Sequence, residues 1–122
     1  MARSSKRPKE IDACLPLNSV DFFVLAVLTD GSRHGYGIVK DITARTDGKV
    51  RVRPGNLYRV IDRLIDRGLV ETKSRKKAGQ SSGTRRYYGI TALGQKVVAA
   101  HVELFVGMVE ASTRLSDVTR LA

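Results

Sequence analysis

The stretch that decides the fold is RPGNLYRVIDRLIDRGLV, residues 53–70. A proline stands near its start, where a helix loses nothing from a missing N–H, and Gly68 stands where a helix would end. At about 100° per residue, one side of this helix is apolar and the other is rich in arginine. The apolar side is predicted to hold Leu57, Tyr58, Ile61, Leu64 and Ile65, and the other side Asn56, Arg59, Val60, Arg63 and Arg67.

The positive charge of the chain is concentrated on this helix and just after it. The 122 residues include 22 Lys+Arg and 12 Asp+Glu, a net charge of +10. Residues 51–68 carry five Arg and two Asp, a net +3, and residues 69–91 carry six Lys or Arg and one Glu, a net +5. Clustering on adjacent segments is typical of a protein that binds an extended polyanion. The basic segments lack the apolar–basic pattern of a helix that lies on a membrane surface.

Length and composition limit the class of protein. A chain of this length fits one domain with a modest core, so a second copy would help to stabilise it. No apolar run is expected to span a bilayer, and the basic start has no apolar region of a secretory signal. We therefore expect a cytoplasmic, nucleoid-associated protein with no membrane partner. The single cysteine, Cys14, suits a reducing compartment and is expected to be a small apolar filler.

Two helices are predicted before the quoted stretch. The first begins at Asn18 or Ser19, either of which can cap it, and ends at Asp30. The second covers residues 35–46 and is stopped by an Asp-Gly pair. Residues 50–52 alternate between apolar and charged side chains and suggest a very short strand.

Two strands and a long helix are predicted after it. Residues 69–77 and 85–90 form a basic hairpin around a flexible polar connection. Thr91 caps a final helix that runs from Ala92 to about Leu115. The order of three helices, hairpin and long helix describes a mainly α (α+β) winged helix-turn-helix with a long C-terminal dimerisation helix. It divides into a basic flexible arm (residues 1–16), a winged-helix DNA-binding domain (residues 17–91) and a C-terminal dimerisation helix and tail (residues 92–122).

The arginine-bearing helix and the hairpin are the candidate DNA contacts. The major groove admits a helix, and Arg and Asn can make two-pronged hydrogen bonds to guanine and adenine. A solvated face braced by Arg–Asp pairs is the alternative, and the basic hairpin directly after the helix favours DNA. A wing of this kind contacts phosphates, whereas a hairpin merely protected from aggregation would need fewer charges. The candidates are Asn56, Arg59 and Arg63 on the helix and Lys73, Arg75, Lys76, Lys77, Arg85 and Arg86 on the hairpin.

The final helix has a wider apolar surface than one small domain can cover. Two neighbouring rows of apolar residues run along it at helical spacing, so we expect a homodimer interface that also packs on the first helix. A purely intramolecular core helix is the alternative. The expected interface residues are Val97, His101, Leu104, Phe105, Met108 and Leu115.

Catalysis finds no support in the sequence. It contains no nucleophile elbow, no phosphate-binding loop and no zinc signature, so neither an enzyme nor a cofactor or metal is expected. His34 lies in a turn and His101 on the apolar seam, and both are expected to be structural.

Three motifs in order give the chain a familiar pattern: HGY at residues 34–36, PG-x-LY-x-x-x-x-RL-x-x-x-GL at residues 54–69, and RRYY-x-x-T-x-x-G at residues 85–94. The chain resembles the PadR family of bacterial transcriptional regulators over roughly residues 25–95. The resemblance implies a winged-helix DNA-binding domain and a C-terminal dimerisation region, here of the short form with one helix. Such proteins are usually repressors, and many release DNA when a small molecule binds near the dimer interface.

The resemblance adds Tyr36, Arg53 and Tyr58 to the candidate DNA contacts. The family commonly has Ser where Arg53 stands, Thr where Asn56 stands, and a small residue or Pro where Arg59 stands, so no operator sequence transfers from relatives. The chain has no Trp, so it lacks the stacking platform for flat drugs that one branch of the family uses. Residues proposed to line an effector pocket are Phe23, His101, Phe105 and Met108.

The expected function is a homodimeric, sequence-specific DNA-binding repressor on an inverted-repeat operator, with a small-molecule effector as a possible further partner. The alternatives are a winged-helix module that binds RNA or protein, and a non-specific DNA-coating protein.

Overall fold

Five helices and three short strands make up the part of the chain that the computed structural model describes, residues 8–74 and 86–112. The mainly helical winged helix-turn-helix predicted from the sequence is confirmed. In chain order the elements are α1 (Lys9–Asp12), α2 (Ser19–Thr29), β1 (Arg33–His34), α3 (Gly35–Arg45), α4 (Pro54–Asp66), β2 (Val70–Ser74), β3 (Arg86–Ile90) and α5 (Ala92–Glu110).

Three of the main helices begin at a side chain that caps them. Asn18 precedes α2, His34 precedes α3 and Thr91 precedes α5, and each accepts a hydrogen bond from the backbone N–H three residues later, at 2.9 to 3.3 Å. These bonds satisfy N–H groups that have no partner inside the helix. Arg53, which precedes α4, makes no side-chain cap, as expected for a residue that replaces serine there.

The three strands form one antiparallel sheet in the order β1-β3-β2. β2 and β3 are the predicted hairpin, and Lys73 lies opposite Tyr87 in their register. β1 was not predicted, and the strand expected at residues 50–52 is wrong. Val52 is instead buried in the core, and the Val50 N–H donates to the Thr46 hydroxyl at 3.0 Å. The alternation there reflects one buried side chain in an irregular segment and not a strand.

One hydrophobic core joins α2, α3 and α4 to the sheet and to the first part of α5. α2 is its central element, because four of its apolar side chains are almost fully buried. The residues of the core with the least exposure are Val24, Leu25, Leu28, Ile38, Ile42, Leu57, Ile61, Leu64, Leu69 and Val97.

The two sides of α4 follow the prediction except at Val60 and Tyr58. Val60, expected on the cationic side, is buried, whereas Tyr58, expected on the apolar side, is exposed. Helix geometry explains both, since Val60 lies about 60° from the buried Leu57 and Tyr58 about 100° from it. Asn56 and Arg59 are exposed as predicted.

The N-terminal arm is partly packed, which differs from the flexible segment predicted over residues 1–16. Ile11 of α1 is buried in the core and α1 contacts α5, while residues 1–7 lie outside the described residues. The Leu17 N–H donates to Nδ1 of His101 at 3.2 Å, which ties this segment to α5. Cys14 is half-buried against the core, as an apolar filler would be.

His101 is a buried histidine of the core. Its ring packs against Phe22 and Phe105, with ring centroids 4.9 and 4.5 Å away. Burial disfavours the charged form and lowers the pKa of His101. Because Nδ1 accepts the Leu17 N–H, protonation of this atom would also remove that hydrogen bond.

The close contact at the start of α5 gives a test of the packing. A Cβ on Gly94 would lie 2.3 Å from the backbone oxygen of Leu69 and 2.7 Å from a side-chain carbon of Ile90. We expect Gly94→Ala to lower the free energy of unfolding by about 1–3 kcal/mol, since backbone has to move. Gly55→Ala is the control, with nothing within 4 Å of the added carbon, and should raise it by up to about 1 kcal/mol. Urea unfolding of both variants measures this, and equal stabilities would contradict the packing.

The buried imidazole gives a test by pH. A histidine whose folded pKa is depressed adds stability that is fully present above its unfolded pKa of about 6.5 and is lost as the pH falls below that value towards the folded pKa. We expect the free energy of unfolding to drop between pH 7 and pH 5 by less in His101→Gln than in the unmodified protein, because glutamine does not titrate. Urea unfolding at the two pH values makes the comparison. Equal drops would show that His101 is not held neutral.

Candidate nucleic-acid interface

The start of α3 and the first turn of α4 meet at a tyrosine. The Tyr58 ring lies over Gly35, whose missing side chain leaves room for it, since a Cβ there would be 2.6 Å from the Tyr58 hydroxyl oxygen. Gly35 is buried by this contact, and Tyr36 beside it points outward. Gly35 and Tyr58, which belong to two different motifs of the sequence, therefore lie next to one another.

The first residues of the wing strand β3 reach the same place. His34 pairs with Tyr87 in the sheet, and their rings meet edge to face at 5.6 Å. Arg86 is the preceding residue of β3, and Lys73 lies opposite Tyr87 on β2. The start of α3, the start of α4 and the wing strand β3 therefore converge on one surface.

Two exposed tyrosines mark this surface. Tyr36 is 66% exposed and Tyr58 is 47% exposed, unusual values for side chains with so much apolar area. The Lys40 ammonium lies 5.6 Å from the centre of the Tyr36 ring, within cation–π range. A tyrosine hydroxyl beside a cation can donate a hydrogen bond to a phosphate oxygen, a contact that is common between proteins and the DNA backbone. The contact between Lys40 and Tyr36 was not predicted, although a spacing of four residues on a helix makes two side chains neighbours.

Most of the candidate DNA contacts in the described residues are exposed. Within residues 8–74 and 86–112, Lys73 forms one long ion pair, 3.8 Å, with Glu71, and both side chains are about half exposed. Such a surface pair is worth little and leaves the ammonium available. The predicted contacts that are exposed are Tyr36, Arg53, Asn56, Tyr58, Arg59, Lys73 and Arg86, whereas Arg75, Lys76, Lys77 and Arg85 lie outside the described residues.

Arg63 differs from the other predicted contacts. It was expected to be free on the cationic side of α4, but its guanidinium pairs with the carboxylate of Asp21 on α2. The Arg63 side chain is 40% exposed and that of Asp21 only 2%. This pairing was not predicted, because nothing along the chain indicates which acid a given arginine meets.

The candidate dimer residues fall into two groups. Val97 and His101 are buried within the subunit, so these two side chains pack in the core of their own chain. Leu104, Phe105 and Met108 are exposed, and Leu115 lies outside the described residues. Of the residues proposed for an effector pocket, His101 is packed between Phe22 and Phe105, so side chains fill that space.

By length and composition α5 could cross a membrane, with a mean hydropathy of 1.3 and 22% of the stretch buried. The expectation that no run is long enough is wrong on this measure, because only Lys96 and Glu103 interrupt residues 92–109. This is weak support for a span, since core helices of globular proteins pass the same test, and the first part of α5 is such a helix. The absence of a membrane partner stays a prediction.

The arrangement of α2, β1, α3, α4, β2 and β3 is that of a winged helix-turn-helix protein. The sequence model described as "Transcriptional regulator PadR-like family" matches residues 24–100. The chain therefore belongs to the PadR-like family of transcriptional regulators, which confirms the resemblance seen in its motifs. Regulators of transcription are not enzymes, in line with the sequence expectation.

Relatives of known structure share the fold. A transcriptional regulator from Clostridium thermocellum has a TM-score of 0.64 at 24% identity, over 85% of this chain and 94% of that one. Bacillus subtilis PadR in complex with operator DNA has a TM-score of 0.60 at 16% identity, over 68% of this chain and 46% of that one. A curated protein from Lysinibacillus sphaericus, described as "Uncharacterized protein X", is 29% identical over 84 residues, which is 69% of this chain and 75% of that protein.

Proposed function

We propose that the chain binds double-stranded DNA in a sequence-specific way, with α4 as the recognition helix. The observation that carries the proposal is the placement of α4. Its apolar residues are buried against α2 and α3, while Asn56 and Arg59 face solvent, as Tyr36, Tyr58 and Arg86 do. A helix held in this way presents its N-terminal turns to a major groove.

The residue types on the exposed side of α4 suit base readout. Arg59 can bind guanine through two hydrogen bonds, and Asn56 can bind adenine in the same manner. They lie three residues apart, almost one helical turn, so they would meet neighbouring bases. The uncapped N-terminus of α4 adds backbone N–H groups and a favourable dipole for phosphate.

The wing and the tyrosines supply phosphate contacts in this proposal. Residues 69–91 carry a net charge of +5, to which Lys73 and Arg86 contribute at the end of the paired strands farthest from Val70 and Ile90. Phosphate contacts orient a protein on a duplex without reading its sequence, and they make binding salt-dependent. The related Bacillus subtilis PadR, whose structure is a complex with operator DNA, supports DNA as the ligand class.

We propose that the regulator acts as a homodimer through the second half of α5. Residues 102–110 are exposed on every side, although six of them are large and apolar. A helix that is apolar all round is normally buried, and a second copy of the same helix would cover it. Two copies of α4 would then lie about one turn of DNA apart, about 34 Å, on an inverted repeat.

Repression and its release complete the proposal. A dimer bound over a promoter would exclude other proteins from it, and an effector that prefers a different angle between the two DNA-binding domains would weaken binding. Such a protein would work in the cytoplasm on the nucleoid.

The alternatives make different demands on α4. The deep, narrow major groove of A-form RNA does not admit side-chain readout, so an exposed Asn56–Arg59 pair fits DNA better. A protein that only coats DNA would bind all sequences alike, whereas a regulator favours its operator by ~10³-fold or more.

Loss of the Arg59 guanidinium tests base readout. A duplex that the purified protein selects from a randomised pool serves as the operator. We expect Arg59→Ala to weaken binding to this duplex by about 1–3 kcal/mol and to remove the preference at one base pair. Fluorescence anisotropy with labelled duplexes measures both effects.

Two control variants distinguish base readout by Arg59 from the loss of a positive charge and from the loss of a phosphate contact. Lys96→Ala removes an exposed cation at the start of α5, which lies beside the C-terminal end of α4 because the Thr91 hydroxyl donates to the Gly68 oxygen at 2.7 Å. This variant should bind as the unmodified protein does. Arg86→Ala should weaken binding to all DNA sequences alike. It should also reduce the slope of the logarithm of the binding constant against the logarithm of the salt concentration by about one unit. An equal loss for Arg59→Ala on selected and random duplexes would contradict base readout.

A charge in the exposed part of α5 tests the dimer. Met108, 66% exposed, is a central candidate, and Met108→Glu should give monomers in analytical ultracentrifugation, because two carboxylates would be buried at the interface. Binding to the selected duplex should fall at least about 10-fold, since one recognition helix is lost per complex.

Ala99→Glu is the matched control. Ala99 is exposed on the same helix, nine residues before Met108 and so on its opposite side, at about 180°. This variant should remain dimeric. A dimer that persists in Met108→Glu, or an unmodified protein that is monomeric at micromolar concentration, would refute the proposed interface.

A further inference from the structure

A buried carboxylate lies where α2 meets α4. Asp21 stands in the first turn of α2 and is 2% exposed. It pairs with the guanidinium of Arg63, which lies in the last turn of α4, four residues after Arg59. Its neighbours along α2, Val24 and Leu25, belong to the hydrophobic core. Among the described residues, every buried side-chain nitrogen or oxygen has a hydrogen-bond partner.

The pair constrains Arg63 strongly. A carboxylate inside an apolar core is costly unless a cation stays with it, and removal of the cation leaves that charge unpaired. To read guanine, Arg63 would have to turn a two-pronged edge of its guanidinium to the base while Asp21 holds it from the other side. Its partial exposure still leaves N–H groups that can reach a phosphate, a contact that carries no sequence information.

The pair also constrains α4. Apolar contacts between α4 and the core are non-directional and allow small rotations of a helix. An ion pair with hydrogen-bond geometry is directional, and here it joins the last turn of α4 to the first turn of α2. Arg59 lies one turn before Arg63 on nearly the same side, about 40° away, so a rotation that Asp21 prevents at Arg63 is prevented at Arg59 as well.

We propose that Asp21 and Arg63 are positioning residues that fix the rotation of α4 on α2, while base readout falls to Asn56 and Arg59. This inference rests on the proposed function, sequence-specific DNA binding. Arg63 then affects recognition at all base pairs together rather than at one.

The test is a base-by-base binding profile. The unmodified protein first selects a duplex from a randomised pool, and its affinity is then measured for every single-base-pair variant of one half-site. The same profile is recorded for Arg63→Lys, which keeps a cation for Asp21 but cannot bind guanine in the two-pronged way. We expect Arg63→Lys to weaken all duplexes by a common factor below about 10 and to keep the shape of the profile. Arg59→Ala, the control for a base reader, should lose about 5- to 150-fold preference at one base pair.

A second pair of variants tests the coupling. Arg63→Met leaves Asp21 unpaired and should lower the melting temperature. At a temperature where this variant is folded, it should lose preference at several base pairs together. Asp21→Leu combined with Arg63→Met replaces the ion pair by apolar side chains of similar length, a change that cores often tolerate. The double variant should recover the melting temperature and most of the profile, although it has no arginine at position 63.

The outcomes distinguish a positioning role of Arg63 from direct base readout by Arg63. Loss of preference at one base pair in both Arg63→Lys and the double variant would identify Arg63 as a base reader and overturn the inference. A folded Arg63→Met with an unchanged profile would also overturn it, because the pair would then serve stability alone. Failure of the unmodified protein to select any sequence would instead refute the proposed function.

Discussion

The packing of the apolar side of α4 on α2 and α3 is the interaction on which the remaining structure depends. Leu57, Ile61 and Leu64 are almost fully buried there, and Val60 widens the contact. With these residues fixed, Asn56 and Arg59 have to face away from the core. The same packing places Tyr58 over the start of α3, which in turn lies beside the wing strand β3. Residues from α3, α4 and β3 thus share one surface because a single helix is anchored.

The sequence was a good guide where local rules act and a poor one where distant residues meet. The bounds of α4 follow from Pro54 and Gly68, and the start of α5 follows from Thr91, because caps and helix ends depend on neighbouring residues. β1 has two residues, too few for any periodicity, and its pairing with β3 is a tertiary effect. The Asp21–Arg63 pair spans 42 residues, and its existence depends on how two helices pack. The DNA-contact roles of the exposed residues stay predictions.

α5 has a buried part and an exposed part that the sequence could not separate. Its apolar rows continue without a break from Val97 to Met108, so a single interface was expected along them. In the structure the rows divide near His101, where α1 and α2 stop covering the helix. Before that point the helix belongs to the core of its own subunit, and after it the apolar side chains face solvent. The periodicity reports that a face is apolar but not what covers it.

The contact between Gly35 and Tyr58 joins two sequence motifs that lie 23 residues apart. Gly35 does not need its glycine for an unusual backbone angle, since only Gly31, Gly48 and Gly68 have positive φ among the glycines of the described residues. It needs the absence of a methyl group, because the phenol of Tyr58 occupies that space. A chain that gained a side chain at the first position would have to surrender the aromatic ring at the second. The two motifs are therefore sterically coupled, and a substitution at position 35 would restrict which side chains fit at position 58.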